Sequence, residues 1–117
     1  MSVEPAIAVE TLDEIICGDR EFLKILTDQF WSDLGERLPQ LRDRVEHFDG
    51  PTVALLAHTI AGSASCIAAE PLRSKAKALE ACGRDRYAAG AAGLLRDLEL
   101  EIGRVREFLD GYLHLEH

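Results

Sequence analysis

The chain has 117 residues, 47% of them hydrophobic, and a formal net charge of −8. This length suits one domain with a substantial core but not two. The negative charge argues against a nucleic-acid-binding protein, because phosphate contacts need a basic face, and the abundance of Ala, Leu, Glu and Arg favours helices over strands.

The first predicted element is a short helix over residues 8–17, with Leu12, Ile15 and Ile16 on one side. Residues 18–19, a glycine and an aspartate, follow it directly. They predict a helix stop and then the N-cap of a second helix.

The second predicted helix is long and amphipathic. From Phe22 to Phe48 apolar residues recur at intervals of three or four, which is the stripe of a helix with one buried face. Pro39 interrupts this stripe, and its ring presses on the carbonyl of Gly35. We expect a kink at this position and not the end of the helix.

The third predicted helix follows a turn at residues 49–51, where a proline stands in the first helical turn. Residues 50–69 carry no charged side chain, which is close to the length of a membrane span. Thr, Ser, Gly and His dilute the large apolar residues, so the segment predicts a buried helix without membrane insertion. Its core stripe is Val53, Leu56, Ile60, Ala64 and Ile67.

A break at residues 70–71 separates the third helix from a fourth, and two glycines leave residues 87–93 ambiguous. From Leu94 to Tyr112 the pattern is helical again. Four principal helices with short connections predict an all-α fold, an antiparallel four-helix bundle with the short N-terminal helix across one end. The inner face of the fourth helix is Leu72, Ala76, Leu79 and Gly83.

His58 faces outward from the third helix, because it lies two residues from both Leu56 and Ile60 of the core stripe. Gly62, one turn later, lets the backbone of a partner come close. The alternative is an ordinary surface histidine beside a helix-packing glycine. The surface around His58 consists of Ala54, Leu55, Ala61, Gly62 and Ser65.

The fourth helix carries Arg73, Lys77, Glu80 and Arg84 at spacings of four, three and four, opposite its inner face. If this helix packs beside the third, Glu80 accepts a hydrogen bond from Nδ1–H of His58 and leaves Nε2 as a nucleophile. Lys77 and Arg84 then balance the charge of a phosphoryl group carried there. The alternative is a solvated helix face with ion pairs along the helix.

Two stretches resemble a known family. Residues 57–84, AHTIAGSASCIAAEPLRSKAKALEACGR, resemble the signature of the histidine phosphotransfer (HPt) domain, and residues 12–30, LDEIICGDREFLKILTDQF, resemble its usual opening. The resemblance covers residues 9–112. It implies a bundle that carries a phosphoryl group on His58 between aspartates of response-regulator receiver domains in a two-component phosphorelay.

The resemblance also implies residue roles. Gly62 gives the receiver access, Ser63 is the small hydroxyl residue after it, Glu80 orients the imidazole, and Arg84 is a basic residue near the site. The receiver-docking surface it implies consists of Leu12, Ile15, Ile16 and Leu55, to which the outward surface around His58 adds Ala61 and Ser65.

The sequence departs from the family pattern at Ala61, where the family usually has a lysine that balances phosphoryl charge. The missing lysine weakens transfer, or its task shifts to Lys77, Arg84 or a basic residue of the partner. It also keeps open a second function, an HPt-like interaction module that docks a receiver or kinase without being phosphorylated.

No P-loop or kinase nucleotide site is visible, which predicts a phosphocarrier and not an autonomous enzyme. We expect no cofactor and no bound metal, with the divalent cation on the partner receiver. A metal- or haem-binding bundle is disfavoured, because the histidines and cysteines up to residue 114 lack helical i,i+3 or i,i+4 pairing. The expected partners are receiver domains, among them those of a hybrid sensor histidine kinase, and the domain is expected to be monomeric.

Cys17, Cys66 and Cys82 show no CxxC spacing and predict reduced, mostly buried thiols of a cytoplasmic protein. The N-terminus lacks the basic start and apolar run of a secretory signal. Residues 115–117 resemble an expression-tag remnant, so the predicted single domain covers residues 1–114.

Overall fold

The computed structural model describes residues 4–114, which form five α-helices. They are α1 (Val9–Ile16), α2 (Arg20–Glu46), α3 (Gly50–Cys66), α4 (Glu70–Arg84) and α5 (Ala88–His114). No β-strand occurs within residues 4–114, which confirms the all-helical prediction. The tag-like residues 115–117 lie outside the described residues, so their interpretation stays a prediction.

Aspartate side chains begin α2 and α3. The carboxylate of Asp19 accepts hydrogen bonds from the backbone N–H groups of Glu21 at 3.0 Å and Phe22 at 3.1 Å. Asp49 accepts from the backbone N–H of Thr52 at 3.2 Å and from its hydroxyl at 2.7 Å. These bonds satisfy N–H groups that have no partner within the helix, and the predicted cap at residue 19 is confirmed.

The two longest helices, α2 and α5, run through residues that disfavour helix formation. Pro39 lies inside α2 and does not end it, as predicted. The ambiguous segment 87–93 is helical from Ala88 onward despite its two glycines. Ala91 is buried against the core, and this burial offsets the weak helix propensity of the two glycines. The helix therefore begins before Leu94, where the apolar pattern becomes clear.

A continuous aliphatic core lies between the helices, with α2 packed against α3 and α5, α3 against α4, and α4 against α5. Phe22, predicted to begin the core stripe of α2, is instead 39% exposed, and Leu23 is fully buried. Residues four apart in a helix differ in direction by about 40°. A series of such gaps, as predicted from Phe22 onward, therefore turns progressively away from the core. The buried residues of α2 are Leu23, Thr27, Phe30, Leu34 and Leu41.

The backbones of α3 and α4 meet at a pair of glycines. A Cβ added at Gly83 would lie 2.6 Å from the carbonyl oxygen of Gly50 and 2.7 Å from the backbone nitrogen of Ala54. A Cβ at Gly50 would lie 2.5 Å from the carbonyl oxygen of Gly83. Only hydrogen fits at either position. Ala54 lies about one turn from His58 and Gly83 about one turn from Glu80, so this close approach determines how near the two helices come at those side chains.

The short helix α1 is attached at the end of the bundle where α3 and α5 finish. The backbone N–H of Ala8 donates to the carbonyl of Ala68 at 3.0 Å. The hydroxyl of Tyr112 donates to the carboxylate of Asp13 at 3.0 Å. These contacts place α1 at the C-terminal end of α3, whereas His58 lies in the middle of that helix.

Two predictions about the surface are resolved by the fold. None of the helices in residues 4–114 is long and apolar enough to cross a membrane, which includes the uncharged α3. Cys82 is buried, but Cys17 and Cys66 are exposed, so the prediction of mostly buried thiols was wrong. Both exposed cysteines lie at the C-terminal ends of helices, Cys17 as the C-cap residue of α1 and Cys66 as the last residue of α3.

Candidate functional site

His58 stands on the outer face of α3, between the buried residues Leu56 and Ile60. Its side chain is 63% exposed, which confirms the outward orientation predicted from the spacing. The imidazole is therefore accessible to a molecule that approaches α3 from solvent.

The carboxylate of Glu80, on α4, contacts the imidazole of His58 at Nδ1. Nδ1 of His58 lies 3.3 Å from both Oε1 and Oε2 of Glu80. With the proton on Nδ1, the ring donates to the carboxylate and Nε2 keeps its free electron pair. The side chain of Glu80 is only 8% exposed, so the alternative of a solvated helix face is wrong for this residue. Burial follows from the close approach of α3 and α4, which covers this face of α4.

Two cations accompany the buried carboxylate. Nζ of Lys77 lies 3.2 Å from Oε1 of Glu80, and a guanidinium nitrogen of Arg84 lies 2.5 Å from Oε2. Burial by itself raises the pKa of the Glu80 carboxyl, but the hydrogen bonds from Lys77 and His58 and the positive charge of Lys77 outweigh it. The pKa of Glu80 is therefore held below its usual range, and the group is ionised at neutral pH.

A recess of about 210 Å³ opens beside the imidazole. It is bounded by His58, Ala61, Gly62, Ser65, Arg73 and Lys77. Arg73 was not predicted as a residue of the site, although its spacing of four from Lys77 places both on the same face of α4. Arg84 does not border the recess and contacts the site through Glu80. The recess thus brings two cations to the same cavity as the imidazole, with a volume suited to a small anion.

Gly62 leaves open space next to His58. A Cβ added there would have no neighbouring atom within 4 Å, so the alternative of a helix-packing glycine is wrong for this position. The glycines that pack the helices are Gly50 and Gly83. Of the other predicted surface residues, Leu55 is 66% exposed and Ser65 is also exposed. These residues frame an accessible patch around the imidazole.

Several predicted site residues lie elsewhere. Ser63 borders a different recess, shared with Leu26 and Phe30 of α2, because five residues along a helix turn it about 140° from His58. Its predicted place beside the imidazole is wrong. Ala61 forms a wall of the recess beside His58 but is only 2% exposed, so it offers a partner almost no surface.

The predicted docking surface on α1 is also corrected. Leu12 and Ile16 are buried because α1 uses them to attach itself to the bundle, so neither is available to a partner. Ile15 remains partly exposed. It stands at the far end of the bundle from Leu55, since α1 is tied to the C-terminal end of α3.

His47 provides an internal comparison. Its Nδ1 also lies 3.3 Å from a carboxylate oxygen, that of Asp43, but both side chains are more than half exposed. Among residues 4–114, no group of three or more His, Cys, Asp and Glu side chains is placed to hold a metal ion. The site is therefore an exposed imidazole above a buried, doubly paired carboxylate.

Comparisons with known proteins agree with this description. The model of the family described as Hpt domain matches residues 26–108, well over half of the chain. No curated protein matches the chain. The fold is similar to the crystal structure of histidine-containing phosphotransfer protein B from Pseudomonas aeruginosa PAO1, with a TM-score of 0.88, 23% identity, and coverage of 98% of this chain and 100% of that one. At that identity the likeness concerns the fold alone.

Proposed function

Because the chain belongs to the Hpt domain family, as the resemblance in its sequence indicated, we propose that His58 is the residue that accepts and donates the phosphoryl group. Membership gives the chain a histidine phosphotransfer role in a two-component phosphorelay, as a phosphocarrier. The assignment of that role to His58 rests on one observation above all, the exposed imidazole whose Nδ1 faces the buried carboxylate of Glu80.

The proposed reaction begins with Nε2 of His58, which attacks the phosphorus of an aspartyl phosphate on a receiver domain. A P–N bond forms while the bond from phosphorus to the aspartate oxygen breaks, and the electron pair of that bond returns to the carboxylate. The Nδ1 proton stays on the ring against Glu80. Transfer to a second receiver reverses these steps, so the chain needs positioning and charge compensation but no ATP.

Charge compensation in this proposal comes from α4. Lys77 and Arg73 border the recess beside His58, where the oxygens of a phosphoryl group on Nε2 would lie. Arg84 is held at the edge of the site by Glu80. Together they supply the positive charge that the family usually takes from a lysine at the position of Ala61.

The receiver domain is the proposed partner, and it brings the aspartate and the divalent cation. Gly62 leaves the approach to the imidazole open, and exposed Leu55 and Ser65 offer contact surface on the same helix. We also propose that the domain is monomeric and cytoplasmic and has no cofactor of its own. Its partners include the receiver domains of a hybrid sensor histidine kinase.

The proposed architecture is an antiparallel four-helix bundle of α2 to α5 with α1 across one end. It is supported by the closed ring of packing partners, in which α2 contacts α3 and α5 while α4 contacts both α3 and α5. Connections of only three residues join α2 to α3, α3 to α4, and α4 to α5, and such short connections reverse the chain direction.

A second candidate is an interaction module that docks receivers without being phosphorylated, which Ala61 favours because it removes the usual cation. Mixing the domain with a panel of phosphorylated receivers distinguishes the two functions. Phosphotransfer predicts label on the domain that is lost in acid and kept in base, the behaviour of a phosphoramidate. Binding to receivers without any such label would support the interaction module instead.

A further inference from the structure

Glu80 places a full negative charge directly beneath the ring that receives the phosphoryl group. Its carboxylate oxygens lie 3.3 Å from Nδ1 of His58. It also binds Lys77 and Arg84, the two cations nearest to it. Orientation of the imidazole needs only a hydrogen-bond acceptor, which a neutral amide oxygen provides equally well. The charge of Glu80 therefore has consequences beyond orientation.

Two consequences of this charge destabilise the phosphorylated state. The carboxylate repels the phosphoryl group across the width of one imidazole ring. It occupies Lys77 and Arg84, which leaves the three side chains with a single net positive charge where a glutamine would leave two. It also attracts the positive charge that the phosphorylated ring carries while Nδ1 keeps its proton, and this third consequence opposes the first two.

We propose that the charge of Glu80 destabilises the phosphohistidine at His58 relative to the aspartyl phosphate of a receiver, and so sets the transfer equilibrium in favour of donation. This inference rests on the proposed function of His58. Glu80 is a positioning residue in this account, since it acts through the imidazole and through the two cations.

The donation step balances without a further reactant. The P–N bond breaks, its electron pair remains on Nε2, and a new bond forms from phosphorus to a receiver carboxylate oxygen. The proton stays on Nδ1 throughout, so the leaving group is a neutral imidazole hydrogen-bonded to Glu80. The lowered pKa of Glu80 agrees with a carboxylate that remains charged during this step.

The test is Glu80→Gln, which keeps an acceptor for Nδ1–H but removes the charge. We expect the equilibrium between phosphorylated receiver and phosphorylated domain to shift by roughly tenfold toward the domain. The isolated phosphorylated variant should also lose its phosphoryl group more slowly than the wild type. Glu99→Gln is the matched control, since Glu99 pairs with Arg42 away from His58, and it should change neither quantity.

Two further variants separate charge from orientation. Glu80→Ala removes both charge and acceptor and should slow transfer in both directions, an effect that Glu80→Gln should not show. Lys77→Gln removes a cation instead of an anion and should shift the equilibrium toward the receiver, which tests the proposal even if Glu80→Gln does not fold. An unchanged equilibrium in Glu80→Gln, or a shift of Lys77→Gln toward the domain, would overturn the proposal. A wild type that takes no label at all would instead contradict the proposed function.

Discussion

At the scale of single residues, the site differs from the family pattern at Ala61, and α4 places two cations in the recess beside it. Ala61 is buried in the wall of the recess beside His58, so no cation arises from α3 there. Arg73 and Lys77 reach the same recess from the neighbouring helix. Lys77 is already ion-paired with Glu80, and this pairing limits the positive charge that remains for a phosphoryl group.

This arrangement makes Ala61→Lys a direct test of charge compensation. A lysine at this position can extend into the recess and adds a third cation beside His58. We expect the phosphohistidine to persist several-fold longer, as measured by the loss of label from the isolated phosphorylated domain. Ala92→Lys, which adds the same charge on α5, is the control and should leave the lifetime unchanged. An equal lifetime for Ala61→Lys and wild type would mean that α4 already supplies enough positive charge.

The sequence predicted the direction of individual side chains where a single helix determines it. The exposure of His58 follows from its angle to Leu56 and Ile60, and the approach of Glu80 follows from the spacing of its stripe. The burial of Glu80 and the position of Ser63 against α2 were not predicted. Both depend on how neighbouring helices are rotated and how closely they pack, which periodicity within one helix does not encode.

At the scale of helices, the distance between α3 and α4 depends on Gly50 and Gly83. Gly83→Ala would place a methyl group against the backbone of Gly50 and Ala54, so the helices must separate. We expect its free energy of unfolding to fall by about 1–3 kcal/mol in urea denaturation. A stability equal to the wild type would contradict the packing described here.

The matched control for this variant is Gly103→Ala in α5. A Cβ at Gly103 meets no atom within 4 Å, so only the helix propensity changes, and stability should rise by about 0.5–1 kcal/mol. Gly83→Ala and Gly103→Ala are the same substitution inside a helix. If the free energy of unfolding falls in the first and rises in the second, the difference reports close packing at Gly83 and not helix propensity.

Helix boundaries were predictable to the extent that local chemistry determines them. The caps at Asp19 and Asp49 and the prolines in the first turns of α3 and α4 mark helix starts in the sequence itself. The start of α5 was not predictable in this way, because burial of Ala91 outweighs the glycines around it. The role of α1 was misjudged for a similar reason, since attachment to the bundle uses its apolar side.

At the scale of the whole molecule, a chain of net charge −8 concentrates cations around one histidine. Arg73, Lys77 and Arg84 all lie on the face of α4 that adjoins His58. In the proposed function, this local positive charge favours the approach of a phosphorylated receiver to His58 in a chain that is otherwise acidic. The bundle thus presents an oriented imidazole beside clustered cations, and we propose that His58 carries the phosphoryl group there.

The most direct measurement compares His58→Gln with His47→Gln after incubation with a phosphorylated receiver. Both histidines are exposed and both have Nδ1 3.3 Å from a carboxylate oxygen, so the pair tests the site and not the residue type. The assignment of the phosphoryl group to His58 predicts acid-labile label on the wild type and on His47→Gln, and none on His58→Gln. Label that persists on His58→Gln would contradict it.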